Sequence, residues 1–253
     1  MIVGVFFLKN NILLLGGTGT LGTTIIRSKL FKKLKKPSSK ELNILNQKKV
    51  EGYLFKNNIN IVLHCAALAR VRECERDKNK AFKINVKGTF NIVKSIINIK
   101  KKTKKKIKLI FISSDAVYES IRGNYKETDK LKPYNTYGKT KVNAERYVIQ
   151  SKDYIIIRTR FFNKRKILFN YSATNIYTSS IEVNLLVKYI YKLIKKNFKG
   201  IINIGGKKIS DYKQYKKYKK KLKPCDKSKV FDEIDFKIAT DASLNLNKMK
   251  MIL

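Results

Sequence analysis

The sequence predicts an α/β fold: a doubly wound parallel sheet flanked by helices, with a small C-terminal lobe. Three observations carry that expectation. Apolar runs of strand length recur within 11–22, 59–67, 108–118, 154–162 and 200–206. Between them, apolar residues fall at helical spacing, as in Ala81, Ile84, Val86, Phe90, Val93 and Ile97. The first run, NILLL, feeds directly into the glycine-rich turn GGTGTLG. At 253 residues and 43% hydrophobic content, the chain suffices for one large α/β domain, or a core with a smaller lobe.

In chain order, the opening MIVGVFF is apolar but short, with no basic residue before it, so it reads as neither signal peptide nor membrane span. Gly16, Gly19 and Gly22 are spaced G-x-x-G-x-x-G, and Gly17 completes a G-x-G-x-x-G. Glycines there let the backbone turn tightly and approach a pyrophosphate set against a helix N-terminus, the Rossmann-type arrangement. Gly16, Gly19, Thr20, Leu21 and Gly22 are therefore expected to hold a dinucleotide. The next strand should end near 34–36, where an acid would hold the ribose hydroxyls of NAD. None is present in KKLKKPSSKELNIL. Lys35, Lys36, Ser38, Ser39 and Lys40 suit a 2′-phosphate instead, which favours NADP(H) over NAD(H). Glu41 reads as the start of the following helical stretch, and Asn43 and Ile44 as candidates to meet the adenine.

The run INIVLHCAA (59–67) is a buried strand whose exit, Ala66 and Ala67, should face the cofactor. His64, the only histidine, ends an apolar strand and reads as structural. One helix is expected over 73–98, with Asn85 as its polar contact toward the cofactor through water. The run KKKTKKKIK (100–108) reads as a solvated connection, since it lacks the interleaved aromatics that stack on single strands. KLIFISSDAVY (108–118) is a strand ending in Ser113, Ser114 and Asp115. A turn-rich loop then leads into a helix carrying Tyr137 and Lys141, one turn apart on one face. A phenol beside a fixed ammonium is a proton donor and acceptor whose pKa can be drawn toward working pH. The same spacing recurs at Tyr191/Lys195, Tyr212/Lys216 and Tyr215/Lys219, so spacing alone selects nothing. What selects Tyr137 is the strand-end hydroxyl at Ser114, which a parallel sheet brings to the same edge.

The formal charge of +40 has two readings. Dense lysine favours polyanions. An AT-rich coding sequence also yields abundant Lys, Asn, Ile, Tyr and Phe with few Gly, Pro and Trp. The lysines are spread through the chain, not confined to a tail, which favours the second reading. Three cysteines with no C-x-x-C pair argue against a disulfide framework or a zinc site, and no metal is expected. The location expected is cytoplasmic.

Taken together, GGTGTLG, VLHCAA, NVKGT, ISSDAVY and YKETDKLKPYNTYGKTKVNAE resemble the extended short-chain dehydrogenase/reductases, and within them the dTDP-4-dehydrorhamnose reductase group. The resemblance implies catalysis by Ser114, Tyr137 and Lys141, and reduction of a 4-keto nucleotide sugar by NADPH or NADH. It implies substrate contacts from Asp115 and from Arg158 and Arg160 in YIIIRTRFF. Ser114 stands where the family has threonine, and keeps the hydroxyl. Ala116 replaces the glutamate of the 4,6-dehydratases, which weighs against dehydration. A 4-epimerase using the same residues is the alternative. A non-catalytic, NAD(P)-sensing protein that binds nucleic acid is the second. The implied division is 1–165 as dinucleotide-binding core, with 181–206 returning to it, and 166–180 with 207–253 as a small substrate-binding lobe. SLNLNKMK near the end resembles the family's closing motif. The partners implied are a nucleotide sugar and, as an allowed state, a second copy in a homodimer, but neither nucleic acid nor membrane.

Overall fold

The computed structural model describes residues 11–230 and 239–253; the opening MIVGVFF lies outside the described residues. β1 (Ile12–Leu15) sends Ile12 and Leu14 into one apolar cluster and Leu13 and Leu15 into another, as the twofold side-chain period requires. β2 (Leu34–Lys35) is short and lies at the sheet edge. β3 (Ile61–His64), β4 (Lys108–Ile112) and β5 (Tyr154–Thr159) divide their side chains between the same two clusters. β6 (Gly200–Ile204) completes the sheet. The order is β6-β5-β4-β3-β1-β2, and every pairing is parallel.

A parallel sheet needs helical crossovers on its faces. Helices Thr20–Ser28 and Val183–Lys195 cover one face through Leu21, Ile25, Leu186 and Ile190. Helices Gln47–Lys56, Gly88–Thr103 and Thr136–Gln150 cover the other through Val50, Leu54, Ile92, Ile96, Ala144 and Val148. The chain steps outward from β1 to β2, then crosses back to β3. That reversal opens a crevice at the strand C-termini, where ligands of such sheets bind. Among the described residues no helix is long and apolar enough to cross a membrane.

Two stretches depart from their sequence patterns. The single helix expected over 73–98 is broken into Val71–Arg76, Lys78–Phe82, a π turn at Lys83–Lys87, and Gly88–Thr103. Asp77 leaves the helical region at φ −134° and its carboxylate accepts Lys80 N at 2.8 Å, starting a new helix. The stretch 210–223, whose run of lysines and tyrosines has helical character in the sequence, is helical only over Asp211–Lys216. There Lys216 Nζ donates to the carbonyls of Lys220 and Leu222, folding the chain into Lys223–Cys225, which pairs with Tyr171–Ala173. Tyr177–Thr178 pairs with Ile209–Ser210, so segments 171–178 and 209–225 form one small lobe beside the sheet.

Beneath the crevice lies a buried polar network. Arg158 of β5 and Glu145 of the Thr136–Gln150 helix are each about 2% exposed and meet through two contacts, Nη2–Oε2 at 2.7 Å and Nε–Oε1 at 3.2 Å. Ser113 Oγ donates to Glu145 Oε1 at 2.5 Å. Arg158 Nη1 donates to Tyr118 Oη at 2.8 Å and to Glu127 O at 2.9 Å. Arg158, assigned by resemblance to the substrate, is therefore committed to the core. β5 runs on to Thr159, so Arg158 still sits under the helix, while Arg160 lies past the sheet edge.

Removing one partner of a buried pair strands the other charge, at about 3–5 kcal/mol. Glu145→Ala should lower the urea midpoint accordingly, with the slope unchanged. Replacing Glu145 and Arg158 together by methionine should restore most of the loss, because no charge is then left unpaired.

Candidate active site

The glycine turn is built by close approach. Gly16 has φ +85°, and a Cβ there would lie 2.6 Å from Ala66 N. A Cβ on Gly22 would lie 2.2 Å from Gly16 O. The turn thus lies flat against the β3 exit, with the first helix seated on it. That helix is capped by Gly19 without a side-chain bond, and its first turn carries no acid. Its N–H groups and dipole are left for an anion. Gly16, Gly19, Thr20, Leu21 and Gly22 line a cavity of about 700 Å³. Cys65, Ala67 and Leu68 continue its wall from β3, and Ser114 and Asp115 from β4.

Tyr137 and Lys141 close the same cavity from the Thr136–Gln150 helix. Asn135 caps that helix, accepting Gly138 N at 2.7 Å. A Cβ on Gly138 would fall 2.2 Å from Ala116 O, so only glycine lets the helix start press against the segment after Ser114. The phenol comes within hydrogen-bonding reach of Ser114 as a result. Burial pushes the Tyr137 pKa up, the Asp115 carboxylate pushes it further, and the Ser114 bond opposes them. The sequence-based expectation that Lys141 draws the phenol down is not met: the shift is upward, its opposing influences are Ser114 and Arg160, and the phenol stays protonated. Lys141 is 2% exposed, with Nζ 4.0 Å from the Phe111 ring centroid. Burial pulls its pKa down to about 8, against Glu145 and Cys65, which raise it.

Ser114 Oγ accepts Ala116 N at 3.1 Å and donates to Asp115 Oδ1 at 3.0 Å. The other oxygen, Asp115 Oδ2, lies 2.7 Å from Arg160 Nε, and Arg160 lines the cavity. Behind Arg160 stands Asp211 of the small lobe, held at 3.2 Å by Thr178 Oγ1. Burial raises the Asp211 pKa, and Arg160 opposes that shift.

Other expected residues stand elsewhere. Asn85, expected at the cofactor through water, spends its amide on the backbone of Leu68 and on Thr140 Oγ1. It sits in the π turn, and it does not line the cavity. Asn43 is exposed and accepts Leu45 N at 2.9 Å. Ile44 packs on Gly88; both lie outside the cavity wall. Ala66 backs the glycine turn instead of lining the cavity. His64 Nε2 lies 3.0 Å from Thr89 Oγ1, which itself donates to Asn85 O at 2.6 Å. The histidine must therefore donate, and burial, with Lys141 adding to it, pulls its pKa down to about 3. It is a neutral structural group. Glu41 turns its carboxylate back onto Ser38 N at 2.7 Å, so no free acid faces the β2 exit. Lys36 Cβ lies 4.0 Å from the point where a Cβ on Gly17 would stand.

Tyr134, Glu145 and Asp211 were not singled out from sequence. For Glu145 a signal was there: Tyr137, Lys141 and Glu145 recur every fourth residue, hence on one helical face. For Asp211 there was none, since it belongs to the lobe and reaches the site only through the fold.

A family model described as the RmlD substrate binding domain matches residues 10–174. The beta subunit of methionine adenosyltransferase 2 from Bos taurus is 28% identical over 153 residues, 56% of this chain and 44% of that protein. A dTDP-4-dehydrorhamnose reductase of Aggregatibacter actinomycetemcomitans is 30% identical over 121 residues, 47% of this chain and 39% of that protein. Each match thus spans less than half of the curated relative. Among solved structures, a dTDP-4-dehydrorhamnose reductase from Clostridium acetobutylicum superposes with a TM-score of 0.83 at 21% identity, over 95% of this chain and 91% of that one. One from Bacillus anthracis, solved in complex with NADP, gives 0.82 at 20% identity, over 96% and 91%. These structural likenesses confirm the doubly wound parallel fold. Because the family match runs from the glycine turn through the Ser114 strand and the Tyr137 helix into the lobe, the chain belongs to the RmlD substrate binding domain family.

Proposed function

We propose that this chain reduces a 4-keto nucleotide sugar at the expense of NADPH. The observation that carries the reading is the meeting of Ser114 and Tyr137 in one cavity with Lys141, opposite a glycine turn shaped for a pyrophosphate. When bound, the reduced nicotinamide supplies the hydride. Tyr137, kept protonated by burial and by Asp115, delivers the proton to the carbonyl oxygen. Ser114 steadies the charge that develops on that oxygen; its hydroxyl can rotate, so the O–H now directed at Asp115 Oδ1 can be turned to it. The Lys141 ammonium holds the nicotinamide ribose. Asp115 and Arg160 offer an acceptor and a donor to sugar hydroxyls, and the Asp211 carboxylate helps hold the charge on Arg160.

The preference for NADPH rests on the β2 exit. The one nearby acid, Glu41, is committed to Ser38, and Lys36 stands beside the glycine turn. A reductant-consuming reaction and three free cysteines suit the cytoplasm. The likeness to an adenosyltransferase beta subunit favours a second reading, a subunit of a larger enzyme. Incubating a panel of nucleotide-linked 4-keto sugars with each reduced cofactor separates the readings. Steady loss of nicotinamide absorbance marks a reductase, interconversion without loss an epimerase, and binding alone the subunit.

Tyr137→Phe should lower kcat by about two to four orders of magnitude while NADPH affinity is kept. Near-normal turnover in that variant removes Tyr137 as the acid. Lys36→Ala should raise KM for NADPH and leave KM for NADH unchanged; equal effects on both would remove the 2′-phosphate role. Lys141, with its pKa near 8, is charged below that pH and neutral above it. The ratio kcat/KM should therefore fall above about pH 8, approaching tenfold per unit. Stability takes the opposite sign. The folded pKa lies below the unfolded value of about 10.4, so between the two the unfolded chain binds more protons, and this lysine makes the fold more stable as pH rises. A rate profile flat to pH 10 contradicts the assignment.

A further inference from the structure

Tyr137 is the second residue of its helix, in the turn where backbone N–H groups lack intrahelical partners and ends fray. Its placement therefore depends on what holds that turn. Glu75, from the short helix Val71–Arg76, reaches across 61 residues of sequence and grips Thr136 twice. Oε1 accepts Thr136 N at 2.7 Å, and Oε2 accepts Thr136 Oγ1 at 2.7 Å. The carboxylate also stands at the positive end of the helix dipole. One turn later, Asn85 Nδ2 donates to Thr140 Oγ1 at 2.9 Å, and Thr140 Oγ1 donates to Tyr137 O at 2.7 Å. The same Asn85 amide clasps Leu68 N at 2.8 Å and Leu68 O at 3.0 Å. Leu68, Val71 and Glu73 of that strap line the cavity.

We propose that Glu75 is a positioning residue for Tyr137, holding the first turn of the helix through Thr136 so that the phenol faces Ser114. The inference rests on the reductase reading above. The strap 68–76 is clamped to the helix at both ends, by Asn85 at Leu68 and by Glu75 at Thr136. The segment that walls the cavity is thereby fixed to the segment that carries the acid. Ordinary stabilisation is not the main result of this clamp. The helix is already anchored at its middle by Glu145, so loss of Glu75 loosens only the first turn, where the local cap bond of Asn135 to Gly138 N remains.

The test compares wild type, Glu75→Ala, Glu75→Gln and Thr136→Val by steady-state kinetics and by amide hydrogen exchange. Misplacement of a reacting group by about 1 Å costs on the order of a hundredfold. Glu75→Ala should accordingly lower kcat by about 10- to 100-fold, with KM for NADPH unchanged, and speed exchange at Thr136 and Tyr137. Glu75→Gln keeps an acceptor for Thr136 N and should recover most of the loss. Thr136→Val, which loses only the hydroxyl bond, should fall between them. A kcat for Glu75→Ala close to wild type overturns the proposal, as does a rise in KM for NADPH that matches the fall in kcat. Should Glu75→Ala fail to fold, the glutamine and valine variants decide by the same two readouts. Wild-type protein that turns over no keto sugar defeats the reductase reading alone. Exchange at Thr136 and Tyr137 then judges the clamp, and unchanged exchange in Glu75→Ala overturns it.

Discussion

The position of the Tyr137 helix depends first on a buried ion pair beneath it. Glu145 and Arg158 are removed from water, at a desolvation cost that attraction repays only with good geometry and satisfied neighbours. Here both conditions hold. Two contacts join the pair, Ser113 donates to the carboxylate, and Tyr118 and Glu127 O accept from Nη1 of the guanidinium. Tyr118 Oη in turn lies 3.3 Å from Asn203 Oδ1 of β6. One network thus joins the helix to β5, to β6 and to the segment that follows β4. Because Tyr137, Lys141 and Glu145 share a face, any rotation of the helix that moved the phenol would also unpair Arg158.

The same carboxylate tunes the chemistry above it. Lys141 is buried, which favours the neutral amine, and Glu145 pulls the balance back toward the ammonium. The result is a lysine that changes charge near working pH. Tyr137 experiences the opposite setting, where burial and Asp115 both hold the proton on. An acid for carbonyl reduction must begin protonated, so this setting fits the reductive direction. On the cavity wall Asp115 pairs with Arg160, and in the core Glu145 pairs with Arg158. Among the described residues most lysines are exposed, where their charge draws anions.

Features carried by contiguous residues were legible in the sequence. The glycine turn, the strand-end Ser114 and the one-turn spacing of Tyr137 and Lys141 need only local pattern, and all line one cavity. Features set by distant partners were not. Arg158 and Arg160 stand two apart in RTR, and only the end of β5 at Thr159 decides that one is core and the other cavity wall. Asn85 looks like a polar residue facing a ligand. Its π turn and its bonds to Leu68 and Thr140 exist only once two helices are packed. Glu75 is one charge among many in a stretch rich in them, and its partner Thr136 is 61 residues away. The lysines of 210–223 mimic a helical surface, but two of them donate to carbonyls and fold the chain back.

The division of labour between core and lobe follows from where Arg160 sits. Ser114, Tyr137 and Lys141 are all positioned by the sheet and the helix across it, with no help from the lobe. Arg160 leaves the sheet just beyond β5 and is flanked by Asp115 of the core and Asp211 of the lobe. Its charge is therefore shared between the two parts. A change in the lobe that moved Asp211 would alter which donors Arg160 presents, while the proton donor stayed in place. On the proposed reading, reaction type belongs to the core and sugar selectivity to the seam at Arg160.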